Sequence, residues 1–288
     1  GIRDRNTHMW KNPATQANVA LLRQRGIQMV MPGSGHLACG YTGDGKLAPV
    51  QQIVDAALKV LSDKHATPTK QDLAGKKLLI TAGPTHEKID PVRFIANCST
   101  GKLGYTVAKV AASRGADVTL ISGPTYLEAP QGVNVQRVVS AEDMYKACTS
   151  VFDIVDAAIL TAAVADYTPA HPADHKLKKS LEYLESIDLK ETTDILASLS
   201  KTKKSQVVVG FAAETNNLLE HAQAKLERKG CSMIVANDVS RPDSTFGSDT
   251  DRVAFVTPQG VEQLETLPLE DVASELLDRV VKMFEERA

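Results

Sequence analysis

Short apolar runs alternate with amphipathic stretches along most of the chain. Such runs predict buried strands, and they lie at 78–82, 117–122, 133–139, 157–162, 207–211 and 233–236. Helical spacing of apolar positions predicts helices at 103–114, 141–150, 193–199, 216–229 and 270–286. This alternation favours an α/β fold, a Rossmann-like three-layer parallel sheet with helices on both faces. Segments 252–257 and 261–264 predict a small hairpin extension.

The N-terminal segment has a different pattern. A helix is predicted at 14–25, a short buried strand at 27–31 and a second helix at 49–63. Between 33 and 45, five of thirteen residues are glycine, which predicts a loop without regular structure. The polar segment 64–72 predicts a linker. These patterns indicate three parts: a segment at 1–50, a helix and linker at 51–73, and a domain at 74–288.

Composition and charge narrow the possible functions. The 288 residues include 33 Lys and Arg against 35 Asp and Glu, a net charge of −2, whereas proteins that bind nucleic-acid phosphates are usually basic. No apolar run approaches the ~20 residues that cross a bilayer. The four cysteines show neither CxxC spacing nor a zinc-binding pattern. We therefore expect a cytoplasmic protein with reduced thiols and with no nucleic-acid or membrane partner.

Candidate chemistry follows the predicted strands, where parallel sheets bind ligands. Gly83 follows the first strand in a turn that suits phosphate binding by backbone N–H groups, although the dinucleotide pattern GxGxxG is absent. The sequence NCSTGKLG at 97–104 precedes a helix, but Ala96 stands where a Walker A motif needs glycine. Ser99 and Thr100 are suited either to a ligand or to capping that helix.

Further polar residues follow the later strands. Asp166 suits a metal, a ribose hydroxyl or a simple turn. Phe211 ends a strand, where an aromatic ring either stacks on a base or packs in the core. Lys225 and Lys229 share one face of a predicted helix. A lysine run beyond Asp166 is typical either of a solvated surface or of a triphosphate site; its members are Lys176, Lys178 and Lys179.

Seven motifs, in this order, resemble those of the phosphopantothenoylcysteine synthetase domain of bacterial bifunctional coenzyme A biosynthesis proteins. They are ITAG at 80–83, IDPVR at 89–93, NCSTGKLG at 97–104, AAVADY at 162–167, KLKK at 176–179, GFAAETNN at 210–217 and ANDV at 236–239. The resemblance covers roughly residues 74–288. Segments 6–10, 12–16 and 35–45 resemble the C-terminal end of the family's flavin-dependent decarboxylase domain, although Arg3-Asp4-Arg5 replaces the Pro-Ala-Met usual before Asn6.

The resemblance implies a CTP-dependent phosphopantothenate–cysteine ligase. CTP and Mg²⁺ activate the carboxylate of 4′-phosphopantothenate as an acyl cytidylate, which L-cysteine then attacks. Residue-by-residue matching implies catalytic roles for Asn97 and Lys176. The implied nucleotide-binding residues are Asp166, Lys176, Thr193, Asp194, Ile195, Leu196, Phe211, Lys225 and Lys229. The implied substrate-binding residues are Gly83, Asn97, Ser99, Thr100, Gly101, Lys102 and Ala213. Synthetase domains of the family pair, so the resemblance also implies a homodimer.

For the decarboxylase domain, the resemblance implies a substrate contact for Asn6 and a proton-donor role for Cys39. That reaction uses FMN, and the family's flavin-binding first half and catalytic histidine have no counterpart in this sequence. We therefore expect that this chain neither binds FMN nor decarboxylates phosphopantothenoylcysteine by itself.

The residues alone leave two other classes of function open. A nicotinamide-dependent reductase needs a glycine-rich dinucleotide turn and an acid after its second strand, whereas 122–124 reads Ser-Gly-Pro. A nucleotide-binding regulatory protein needs neither Asn97 nor Lys176, and both are present. Binding of CTP rather than a dinucleotide tests the first alternative, and pyrophosphate release tests the second. The sequence does not indicate which residues bind a metal.

Overall fold

The computed structural model describes residues 7–36, 42–65, 70–178, 186–214, 217–238 and 247–287. The chain divides into two compact units, residues 1–69 and residues 70–288. Within the described ranges, no helix is both long and apolar enough to span a membrane.

The smaller unit contains three helices and one hairpin in its described part. These elements are α1 (Thr7–Lys11), α2 (Pro13–Gln24), β1 (Gly33–His36), β2 (Thr42–Lys46) and α3 (Val50–His65). Helix α2 begins where the sequence predicts, because Asn12 accepts the Ala14 N–H at 2.9 Å and Pro13 occupies the first turn.

Two predictions for the smaller unit are wrong. Residues 27–31 form no strand; Ile27 is 49% exposed, so this apolar run is not buried. The glycine-rich segment is partly regular, because β1 and β2 pair as an antiparallel hairpin with a bulge between Gly33 and Ser34. Gly43 allows β2 to pack closely against the start of α1, since a Cβ at this position would lie 2.6 Å from Thr7 Oγ1.

The larger unit alternates strands and helices. Its strands are β3 (Lys77–Ala82), β4 (His86–Lys88), β5 (Phe94–Ala96), β6 (Asp117–Ser122), β7 (Val133–Arg137), β8 (Ala157–Leu160), β9 (Tyr167–Pro169), β10 (Leu189–Glu191), β11 (Val207–Glu214), β12 (Met233–Asp238), β13 (Thr250–Asp251), β14 (Val253–Thr257), β15 (Gly260–Gln263) and β16 (Leu267–Pro268). Its helices are α4 (Lys102–Ser113), α5 (Ala141–Phe152), α6 (Ile195–Thr202), α7 (Leu218–Lys229) and α8 (Leu269–Glu285).

One eight-stranded sheet organises the larger unit, in the order β15-β14-β12-β11-β8-β3-β6-β7. The strands from β12 to β7 are parallel, which confirms the predicted α/β class. The predicted hairpin, β14–β15, extends the sheet by antiparallel pairing with β12. Three short pairs lie outside it, β4–β5, β9–β10 and β13–β16, and none was predicted.

Successive residues of the central strands face opposite sides, which produces two cores. On one face Leu78 and Ile80 join α4 and α8 in an apolar cluster. On the other face Leu79 joins a cluster that α5, α6 and α7 cover. This arrangement confirms the three predicted layers.

The strand order reverses between β3 and β8. From β3 the chain proceeds through β6 to β7 at one edge, then returns to β8 on the other side of β3 and continues to β11 and β12. The loops after the two strands are joined, because Ala163 N–H donates to the Gly83 carbonyl at 2.9 Å. Such a reversal opens a crevice at the carboxyl ends of the strands, where ligands bind in this class of sheet.

A buried arginine joins three segments of the larger unit. The side chain of Arg114, 3% exposed, contacts Asp72 at 2.5 Å and Asp278 of α8 at 2.7 Å. It also donates to the Ser274 carbonyl at 3.2 Å. The guanidinium holds the pKa of Asp72 below its ordinary value despite partial burial of the carboxyl.

We expect Arg114→Ala to lower the free energy of unfolding by about 3 kcal/mol, because it leaves two carboxylates without their buried cation. A depressed carboxyl pKa stabilises the fold above the unfolded value of about 3.9 and loses that contribution as the pH falls through the folded value. The difference between wild type and variant should therefore shrink below about pH 4. Urea unfolding of both proteins at pH 7, 5, 4 and 3 measures this difference in the free energy of unfolding.

The matched control is Lys146→Gln, which removes the exposed pair with Glu142. Exposed pairs contribute about 0.5 kcal/mol. An equal loss for both variants would contradict a special role for Arg114.

Candidate functional site

A cavity of about 950 Å³ lies at the strand-order reversal. Its walls are the segments that follow β3 and β8, the start of α6, the end of β11 and one face of α7. Ten residues to which the family resemblance gives a ligand-binding role line this cleft: Asn97, Asp166, Thr193, Asp194, Ile195, Leu196, Phe211, Ala213, Lys225 and Lys229.

A second cavity, about 100 Å³, adjoins the cleft. Thr161, Phe211 and Ala213 line both spaces. The start of α4 forms one wall of the smaller cavity and contributes four predicted substrate residues: Ser99, Thr100, Gly101 and Lys102. The site is therefore a large compartment and a small one that share a wall.

Hydrogen bonds hold the cleft wall around Asp166. The carbonyl of Asp166 accepts the Thr192 N–H at 2.9 Å, and the Thr192 hydroxyl donates to the Ala165 carbonyl at 2.6 Å. These bonds fix the turn after β8 against the segment that leads into α6. They place the exposed carboxylate of Asp166 on the same cavity wall as Thr193 and Asp194.

Asp194 both caps α6 and forms an ion pair. Its Oδ1 accepts the Ala197 N–H at 2.8 Å, and its Oδ2 accepts a hydrogen bond from Lys229 of α7. Burial by itself raises the pKa of Asp194, but the bonds from Lys229 and Ala197 outweigh it, and the pKa is lowered. The carboxylate therefore stays charged, and it ties α7 to the first turn of α6.

Helix α7 presents one face to the cleft and an adjoining face to the core. Ala222 and Leu226 are buried in the apolar cluster beneath the helix. Lys225 lines the cleft and donates to the Phe211 carbonyl at 2.8 Å. This bond fixes the Lys225 ammonium beside the wall that the two compartments share.

Asn97 does not cap a helix. Gly101 is the residue before α4, whereas the Asn97 Nδ2 donates to the Val164 carbonyl at 3.0 Å. The bond bridges the loops that follow β5 and β8, so it holds an exposed amide at the lining of the large compartment. The hydroxyls of Ser99 and Thr100 do accept local N–H groups, at 3.2 and 3.4 Å from Gly101 N and Lys102 N.

Two glycines with left-handed backbones meet at the start of α4. Gly83 has φ 76° and Gly101 has φ 78°. A Cβ on Gly101 would lie 3.1 Å from the backbone nitrogen of Gly83, so side chains there would force the two turns apart. Gly101 thus brings bare backbone to the small compartment, whereas Gly83 lines neither compartment, and its phosphate-binding role stays a prediction.

Lys176 does not line either compartment. It is exposed, in a segment that is held at its base: Ala173 N–H donates to the Ile89 carbonyl at 2.9 Å, and Arg93 donates to the Leu177 carbonyl at 2.7 Å. Asp90 is buried and pairs with Arg93 at 2.5 Å, and the pKa of Asp90 is strongly lowered. Three predicted residues, Asn6, Cys39 and Lys179, lie outside the described residues.

Several lining residues were not predicted from the sequence. His221 and Arg228 lie on the cleft face of α7; their spacing from Lys225, four and three residues, was a usable signal. Asn237 and the buried Asp251 line the small compartment, and Asn237 Nδ2 donates to Asp251 Oδ2 at 2.8 Å. No sequence pattern pointed to Asp251. In the described ranges, no three His, Cys, Asp or Glu side chains form a metal-binding group.

Comparison with known proteins gives two family matches. The model of the DNA/pantothenate metabolism flavoprotein C-terminal domain matches residues 73–284, and the Flavoprotein model matches residues 4–62. Among curated relatives, the coenzyme A biosynthesis bifunctional protein CoaBC of Bacillus subtilis (strain 168) is 44% identical over 280 residues, covering 96% of this chain and 68% of that protein.

Solved structures agree with these matches. The crystal structure of the C-terminal domain of a coenzyme A biosynthesis bifunctional protein CoaBC is 43% identical, with a TM-score of 0.65, and the match covers 75% of this chain and 100% of that one. A Cab2 mutant in complex with phosphopantothenate-cysteine is 16% identical, with a TM-score of 0.60 over 82% of this chain and 95% of that one. At that identity the likeness concerns the fold alone.

Proposed function

This chain belongs to the DNA/pantothenate metabolism flavoprotein family, and on that premise we propose that its larger unit is a CTP-dependent phosphopantothenate–cysteine ligase. The observation that carries the proposal is the pair of adjoining compartments at the strand-order reversal. The larger one, with its cationic helix face, suits a nucleoside triphosphate. The smaller one, at the glycine turns and the start of α4, suits the phosphate end of 4′-phosphopantothenate.

In the first step, a carboxylate oxygen of 4′-phosphopantothenate attacks the α-phosphorus of CTP. A P–O bond forms, the bond to pyrophosphate breaks, and an acyl cytidylate results. Both reactants are anions, so positive charge must offset their repulsion. Lys225 supplies such a charge beside Phe211, and Mg²⁺ enters with CTP as part of the substrate. Asp166 is one of the exposed carboxylates of the cleft, and we assign it to the ribose or to that Mg²⁺.

In the second step, the amine of L-cysteine attacks the acyl carbon of the cytidylate. A C–N bond forms, the C–O bond to CMP breaks, and the amine gives up its proton to solvent. The developing oxyanion needs a donor at hydrogen-bond distance. We assign this role to the Asn97 amide, which projects into the large compartment from a loop fixed to Val164.

The remaining assignments follow from position. The first turn of α6, with Thr193, Ile195 and Leu196, offers backbone groups for the base, and Phe211 offers an aromatic face. Lys176, outside both compartments, would reach the triphosphate only through movement of its exposed segment. The homodimer of the family also stays a proposal for this chain.

The smaller unit carries the family's flavoprotein segment, residues 4–62. In this family that segment belongs to the decarboxylase part, which uses FMN. We assign no reaction step there, because Asn6 and Cys39 lie outside the described residues.

The direct test is pyrophosphate release by the purified chain with 4′-phosphopantothenate and Mg·CTP. We expect pyrophosphate on mixing, and phosphopantothenoylcysteine, identified by its mass, once L-cysteine is added. ATP and NADPH in place of CTP serve as controls for nucleotide class. Protein that binds CTP without releasing pyrophosphate would be a regulatory binder and would overturn the proposal.

A further inference from the structure

We propose that Arg228 binds the phosphate chain of the nucleotide and thereby distinguishes a triphosphate from a monophosphate. This inference rests on the proposed function, and it concerns a residue to which the family resemblance assigned no role. Three observations lead to it: the face of α7 on which Arg228 lies, the partners of the neighbouring lysines, and the exposure of its guanidinium.

The position of Arg228 follows from helical geometry. Residues three and four apart share a helix face, so His221, Lys225 and Arg228 form one row along α7. All three line the large compartment. Ala222 and Leu226 lie about 100° further around the helix and are buried in the core, which fixes the rotation of α7 and keeps Arg228 toward the cleft.

The two lysines of this helix face are engaged with protein groups. Lys229 pairs with Asp194, which offsets its charge and ties α7 to α6. Lys225 donates to the Phe211 carbonyl at 2.8 Å. Lys229, to which the family resemblance gives a nucleotide-binding role, therefore positions the first turn of α6 in this structure.

Arg228 differs from both lysines. It is exposed on the cleft wall, and among the described residues it forms no ion pair or hydrogen bond. In the described part of the chain, no acidic group therefore offsets its charge. A guanidinium presents paired N–H donors that match two phosphate oxygens, and it remains protonated throughout the physiological pH range. These properties suit the phosphate chain, which carries most of the negative charge of CTP.

The experiment compares CTP and CMP binding by calorimetry for wild type, Arg228→Gln and Arg228→Lys. Loss of a charge-assisted contact corresponds to about tenfold or more in affinity. We expect Arg228→Gln to weaken CTP binding by about that factor and to change CMP binding by less than about twofold. Arg228→Lys should retain part of the CTP affinity, because it keeps the charge and loses the planar pair of donors.

The matched control is Lys201→Gln, which removes an exposed cation from α6 outside both compartments. It should leave both affinities unchanged, and the melting temperatures of all variants should agree with wild type. If Arg228→Gln weakened the binding of CTP and of CMP equally, Arg228 would contact the base or ribose that both nucleotides share, and the proposal would be overturned. Unchanged CTP binding would overturn it as well. If wild type itself binds no CTP, the proposed function fails, and this result is distinct from either outcome.

Discussion

Asn97→Asp should leave pyrophosphate release within a few-fold of wild type and should stop the joining of cysteine. The amide of Asn97 donates to the Val164 carbonyl and projects into the large compartment. An aspartate at the same place adds an anion beside the acyl phosphate and supplies no donor for the oxyanion of the second step. Removal of one such donor costs about 10²–10³ in rate, and the added charge increases the loss.

Single-turnover reactions analysed by mass spectrometry measure the effect. The acyl cytidylate should accumulate with Asn97→Asp in the presence of L-cysteine, and it should not accumulate with wild type. Asn97→Ala serves as the neutral control, and we expect it to slow the second step less than aspartate does. A parallel loss of pyrophosphate release and of ligation, in both variants, would mean that Asn97 acts on folding or on nucleotide binding.

Gly104→Ala should destabilise the larger unit strongly. A Cβ at this position would lie 2.4 Å from Thr161 Oγ1, 2.6 Å from Ala82 Cβ and 3.0 Å from the Thr81 carbonyl. On helix propensity alone, alanine would stabilise α4 by about 1 kcal/mol. Because backbone and a buried strand form the obstacle, we expect instead a net loss of about 3 kcal/mol.

Displacement of Thr161 by the added methyl group should also alter the site. Thr161 lines both compartments, and its hydroxyl donates to the Thr81 carbonyl at 2.6 Å. Thermal unfolding and pyrophosphate release together test this. We expect a melting temperature lower by about 5–10 °C and most of the activity lost. Gly132→Ala is the control: a Cβ there meets only Ala112 at 3.9 Å, so its cost is the left-handed φ alone, about 1 kcal/mol. A stabilised Gly104→Ala would show that α4 can move away from the sheet.

The strands of the central sheet could be predicted from the sequence because burial on both faces leaves a continuous apolar run. Residues 78–82 and 157–160 are such runs, and the structure has β3 and β8 there. The hairpins β4–β5 and β9–β10 could not be predicted in this way. Each of their strands has three residues, and Leu189 and Phe94 within them are exposed, so no apolar pattern marks them.

The part of the site that could be predicted from the sequence consists of residues that follow the ends of strands. Parallel strands place their following loops at one edge, which brings Asn97, Asp166 and Phe211 to one cleft. Ion-pair partners could not be predicted, because 35 residues separate Asp194 from Lys229 along the chain. For the same reason, Lys225 and Lys229 looked equivalent in sequence, whereas one donates to a backbone carbonyl and the other pairs with a carboxylate.

The reversal of strand order between β3 and β8 has a consequence for dividing the polypeptide. Residues before α5 supply Asn97 and the glycine turns, and residues from β8 onward supply Asp166, Phe211 and the cationic helix. A chain cut just after α5, at the exposed residues 153–154, would give two fragments that each hold half of the groups that we assign to the reaction. Neither fragment alone would have a crevice, because its walls are β3 on one side and β8 on the other. Coexpressed fragments would thus regain the proposed ligase activity only by reassembling the sheet along the β3–β8 seam, so this seam suits a split reporter of fragment reassociation.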